Sequence, residues 1–117
     1  MEVRVIYICG PFRGAHHWAI AENIRRAETL ALEVWRSGAV ALCPHLNTQH
    51  FQDTLPDAVW LKGDLELLRR CDGILMTPDW ERSSGARAEH ELAQALGIPV
   101  YYSVEELQKA LKEEVCL

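Results

Sequence analysis

Gly73-Ile74-Leu75-Met76-Thr77, then the turn-rich Pro78-Asp79-Trp80-Glu81-Arg82, then Ser83-Ser84-Gly85-Ala86-Arg87-Ala88-Glu89-His90-Glu91-Leu92-Ala93-Gln94-Ala95-Leu96-Gly97, then Pro99-Val100-Tyr101-Tyr102: this stretch decides the fold. Its first run is short, continuous and apolar, the signature of a strand buried on both faces. Residues 84–96 carry Ala86, Glu89, Ala93 and Leu96 at helical spacing with Leu92 beside them, and Gly97 ends the helix. Residues 99–102 return to β character. A strand, a helix and a second strand in this order are joined most simply by a parallel crossover.

The same alternation extends outward in both directions. Residues 3–9, Val-Arg-Val-Ile-Tyr-Ile-Cys, form a strand that Gly10-Pro11 stops. Residues 18–37 form a long helix, with Ile20, Ile24, Ala27, Ala31 and Val34 on its inner stripe, Trp35 in the core and Gly38 as terminator. Residues 39–43 make a short strand broken by Pro44. Residues 45–56 read as a long polar loop. Residues 57–70 form a helix with Ala58, Leu61, Leu65 and Leu68 as its buried stripe. Ser103 caps a last helix over 104–112, and Glu106 is spaced for a capping box.

The order β-α-β-α-β-α-β-α gives the fold class α/β. It is expected to be a single-domain doubly wound structure over residues 1–117, with a mainly parallel sheet of four to five strands in a flavodoxin- or Rossmann-like three-layer sandwich. At 117 residues, with 49% hydrophobic and 25% charged residues, the chain has the composition of one globular domain.

Charge and composition narrow the function. The net charge is −5 and no basic cluster exceeds the pairs Arg25-Arg26 and Arg69-Arg70, which argues against a nucleic-acid polymer as partner. No run approaches the roughly 20 apolar residues of a bilayer span. Cys9, Cys43, Cys71 and Cys116 lie far apart and read as buried, reduced thiols in a cytoplasmic protein. The five histidines fit no zinc spacing, so no metal is expected.

Ligands of such folds bind beyond the carboxyl ends of the strands. Residues 10–17, 45–53 and 78–85 collect there. Glu89 sits on the apolar stripe of its helix, one turn from the start, so its carboxylate must be paired, protonated or in use. Just upstream, Ser83, Ser84 and Gly85 offer hydroxyls and free N–H groups, the equipment for holding an anion. Gly10 and Gly14 bracket Arg13, a residue that can fork onto a phosphate. Phe12, His45 and Trp80 lie on the ligand-side loops as candidates for contact with a base. Asp64 falls beside the stripe of its helix, between an inward position and a solvated flank.

Together these residues resemble the nucleoside 2-deoxyribosyltransferase superfamily. Within it, the chain is similar to the 2′-deoxynucleoside 5′-monophosphate N-glycosidases and to a group of short bacterial and phage proteins. Tyr7-Ile8-Cys9-Gly10 with Arg13-Gly14, Asp64-Leu65 followed by Cys71-Asp72, Ser83 and Gly85 with Glu89, and Ala95-Leu96-Gly97-Ile98-Pro99 carry the resemblance. It implies that Glu89 is a nucleophile, that Asp64 assists proton transfer and that Tyr7 lies by the sugar. It also implies that Arg13 and Ser83 contact phosphate. The activity expected is cleavage of the N-glycosidic bond of a nucleotide or nucleoside, by hydrolysis or base exchange, in a homodimer or larger assembly. The alternative is a non-catalytic nucleotide-binding or sensing module on the same fold.

Overall fold

The computed structural model describes residues 3–51 and 53–116, with side chains described up to residue 113. Four parallel strands form the sheet: β1 (Val5–Cys9), β2 (Val40–Leu42), β3 (Gly73–Met76) and β4 (Val100–Tyr101), in the order β2-β1-β3-β4. Tyr7 pairs with Leu42 on one side and with Ile74 on the other. The chain leaves β1 toward β2, then returns past β1 to β3. The crevice between β1 and β3 is therefore the point where the winding reverses, and ligands of such sheets bind at its carboxyl end.

The alternation along β1 divides the core. Ile6 and Ile8 face α1 (His17–Arg36) and α5 (Val104–Cys116), meeting Ala27, Ala31, Val34 and Leu107. Tyr7 and Cys9 face the other way, toward α3 (Asp57–Arg69) and α4 (Ser84–Leu96), and meet Leu68, Ala86 and Ala93. Helices thus cover both faces, as expected of a doubly wound α/β sandwich.

Local chemistry sets the boundaries of α4. The Ser83 hydroxyl accepts from the Ala86 N–H at 3.1 Å, and Gly97 takes a left-handed φ of 72° that a side chain would resist. At α5, Ser103 accepts from the Glu106 N–H, while the Glu106 carboxylate accepts from the Tyr102 N–H rather than from the cap itself.

The structure corrects several sequence expectations. The first strand covers Val5–Cys9, shorter than residues 3–9. The segment after β2 is not all loop. Pro44 opens a four-residue helix, α2 (Pro44–Asn47), where its missing N–H costs nothing. Trp35 is 55% exposed because Val34 takes the inward position of the last turn of α1. On α3 only Leu68 of the expected stripe is fully buried, while Ala58 and Leu61 face outward. Leu96, at the end of α4, is also exposed. Cys9, Cys43 and Cys71 are buried and free. Cys116 lies outside the residues whose side chains are described. No helix among the described residues is long and apolar enough to cross a membrane.

Candidate active site

Strand alternation puts Tyr7 and Cys9 on one face of β1, and α4 lays Glu89 over that face. Tyr7 and Cys9 are fully buried and Glu89 nearly so. The Cys9 thiol donates to the Ala86 carbonyl at 3.6 Å, one turn before Glu89. The Tyr7 hydroxyl has no hydrogen-bond partner of standard geometry among the described residues.

Asp64 comes from α3, which packs beside α4. It is half-buried, and burial raises its carboxyl to about 6. Glu89 is raised further, to about 7, first by burial and then by the Asp64 charge; the Cys9 thiol and the Tyr7 hydroxyl act in the opposite sense. The same surroundings push the Tyr7 phenol and the Cys9 thiol far above their ordinary ranges, burial first and the Glu89 charge second. Two carboxyl groups, a phenol and a thiol thus meet in one buried cluster. The more deeply buried Glu89 holds its proton more firmly than Asp64 does.

Glycine keeps the neighbouring backbone close. A Cβ on Gly10 would stand 2.4 Å from the Thr77 side chain, and one on Gly14 would stand 2.6 Å from Ala19. Thr77, at the end of β3, is thereby drawn against the start of the β1–α1 loop. On that loop Arg13 pairs with Asp57 at the start of α3, and both side chains are largely exposed. Across the crevice, the first-turn N–H groups of Ser84 and Gly85 have no carbonyl within their own helix to bind. The Ser83 hydroxyl is occupied as acceptor of the α4 cap but keeps its own proton to donate.

The base-contact candidates separate. His45 is buried, and its Nε2 donates to the Pro11 carbonyl at 2.8 Å, while Phe12 stands edge-on to its ring. Burial lowers the His45 pKa, which favours the neutral ring. Both residues thus brace the β1–α1 loop. Trp80 stacks on His90 with ring centroids 4.2 Å apart, so one of its faces is already covered. A groove of about 410 Å³ opens instead beside α3, lined by Asn47, Thr48, Trp60, Gly63, Asp64 and Leu67 among others. No group of three or more metal-binding side chains occurs among the described residues.

Two further residues belong to this region that the sequence did not mark as site residues, Cys9 and Asn23. Cys9 carries the period-2 signal that puts it beside Tyr7. Asn23 interrupts the apolar stripe of α1 between Ile20 and Ala27, as Glu89 does that of α4. It is 4% exposed. Its Nδ2 donates to the carbonyls of Phe12 and Arg13, at 3.1 and 3.0 Å. Its Oδ1 accepts from Arg26 and, 59 positions along the chain, from Arg82. Two carbonyls on one side and two guanidinium groups on the other fix the orientation of the amide.

Residues 4–103 match a family described only as a domain of unknown function, DUF7768. The chain belongs to this family. A search of curated proteins finds no match. Ten chains of solved structures match the fold. Among them is a 2-deoxyribosyltransferase from the psychrotolerant bacterium Bacillus psychrosaccharolyticus, described as a biocatalyst for nucleoside synthesis. It superposes with a TM-score of 0.61 at 21% identity, over 82% of this chain and 69% of that one. At that identity the DUF7768 chain shares a fold with the transferase, and the chemistry must be argued from its own residues.

Proposed function

We propose that the protein cleaves the N-glycosidic bond of a nucleoside 5′-monophosphate or nucleoside, with Glu89 as nucleophile. The observation that carries this reading is the Glu89 carboxyl, buried against Tyr7, Cys9 and Asp64 and raised to about 7, at the carboxyl edge of the sheet. In the first step a Glu89 oxygen attacks C1′, the bond from C1′ to the base nitrogen breaks, and the departing base takes a proton from Asp64. In the second, water gives a proton to Asp64 and its oxygen to C1′, and the ester to Glu89 opens. A second base in place of water would give exchange. The Tyr7 hydroxyl, beside the Glu89 carboxyl, is placed to donate to the sugar or to that carboxylate as it ionises. Arg13 on one side of the crevice, and Ser83, Ser84 and Gly85 on the other, would hold the 5′-phosphate. The groove beside Asp64 offers room for the base. The chemistry needs no metal or cofactor.

The fold shared with a 2-deoxyribosyltransferase supports this class of reaction. Assembly fits it too: Phe51, Leu55, Val59 and Leu61 are exposed apolar residues, Val59 lines the groove, and a second copy of the chain is the partner we expect there. Three free, buried thiols fit a reducing, cytoplasmic setting.

One observation favours the runner-up, a non-catalytic nucleotide-binding module: a carboxyl titrating near 7 is half protonated at neutral pH, and a protonated carboxyl is no nucleophile. Chromatography after incubation with a panel of nucleosides and nucleotides, with and without an acceptor base, separates the two. An enzyme releases free base or a new nucleoside. A binding module leaves the panel intact and gains only thermal stability. An intact panel would defeat the catalytic reading.

A further inference from the structure

We infer that Asn23 and Arg82 form a clasp across the crevice that holds the two halves of the anion cradle in register, making Asn23 a positioning residue for phosphate recognition. The inference rests on the reading of Arg13, Ser83, Ser84 and Gly85 as the groups that meet a 5′-phosphate. These groups come from different loops on opposite sides of the β1–β3 crevice. A phosphate bridging them gains from both only if the spacing is fixed beforehand.

Asn23 fixes it. Its amide nitrogen holds the carbonyls of Phe12 and Arg13, the backbone from which the Arg13 side chain departs. Its amide oxygen receives Arg82, which immediately precedes the Ser83 cap of α4. The Arg82 end is braced in turn. Its guanidinium meets Asp79 at 2.8 and 3.0 Å, and Asp79 accepts from Thr77, the residue drawn against Gly10. Arg26 meets the same Asn23 oxygen and lies 3.6 Å from Asp79. One buried amide therefore ties α1, the β1–α1 loop and the entry to α4 together. Asn23 comes from α1, on one face of the sheet, whereas Tyr7, Asp64 and Glu89 lie on the face covered by α3 and α4. The clasp can set the phosphate end of a ligand without touching the reacting carbon.

The test compares kcat/KM for a nucleoside 5′-monophosphate with that for the parent nucleoside, in wild type, Asn23→Leu, Arg82→Gln and the double variant. A loss of general structure would lower both substrates alike. Loss of the clasp lowers the nucleotide selectively, so each single variant should reduce the ratio by about tenfold or more. The double variant should do little worse than either single one, because both cut the same link. A ratio unchanged in folded single variants, or fully multiplicative losses in the double, overturns the inference. Should Asn23→Leu fail to fold, Arg82→Gln carries the decision, since Arg82 is largely exposed and its removal leaves no cavity. A wild type without any preference for the phosphorylated substrate instead refutes the phosphate reading beneath it.

Discussion

Glu89→Gln should inactivate the protein and remove one pH-dependent loss of stability. The carboxyl is 9% exposed, and burial carries its titration from 4.5 to about 7. Between those values the folded protein keeps a proton that the unfolded chain releases. Stability from this group is therefore complete below about pH 4.5 and is lost as pH rises through about 7. At roughly 1.4 kcal/mol per pH unit, the interval from 4.5 to about 7 amounts to roughly 3–4 kcal/mol, of which about 3 falls between pH 4.5 and 8. Glutamine keeps the volume and cannot ionise, so the variant escapes this loss. Its amide also changes the hydrogen bonds near Cys9 and Tyr7, but that offset does not vary with pH. Urea unfolding of both proteins from pH 4.5 to 8 is the assay. The difference in unfolding free energy should move in favour of the variant by about 3 kcal/mol across the range. A difference that stays flat would refute the burial argument and with it the poised carboxyl.

The pH–rate profile should be a narrow bell between about 6 and about 7, since catalysis needs Glu89 ionised and Asp64 protonated. Burial favours the proton on Glu89, so only a minority of the singly protonated molecules carries it on Asp64; a rate flat from pH 5 to 9 would contradict the paired roles. Arg13→Ala should weaken nucleotide binding by roughly 10–200-fold in a titration and leave nucleoside binding nearly unchanged, as expected for one lost charge-assisted bond. Sedimentation equilibrium at micromolar concentration should give at least twice the 13.3 kDa chain mass; a fully active monomer would remove the assembly around the α3 groove.

The sequence displayed most where local rules decide. The α4 helix runs over Ser84–Leu96 as expected because Ser83 caps one end and left-handed Gly97 closes the other. Short apolar runs bounded by Gly and Pro likewise located the four strands, and the period of 3.6 located the inner face of α1. The failures belong to tertiary context. Four-residue α2 is hidden in a polar run and announced only by Pro44. Leu61 and Trp35 have the composition of core residues, yet no neighbouring element covers them.

At the site, Glu89 stood out as a charge on an apolar stripe, and Asn23 gave the same signal more quietly. Asp64 could not be placed from its helix alone. Only the strand order, which sets α3 beside α4, brings it to Glu89. The partnership of Asn23 with Arg82 spans 59 residues, beyond any local pattern.

The most direct test of the central claim is the intact mass of the protein, quenched in acid during turnover of a nucleoside 5′-monophosphate. The account predicts an added sugar phosphate, without its base, on wild type; peptide mapping should place it on Glu89, and Glu89→Gln should carry none. Release of free base by wild type with the adduct on another residue, or near-normal turnover by Glu89→Gln, would contradict it.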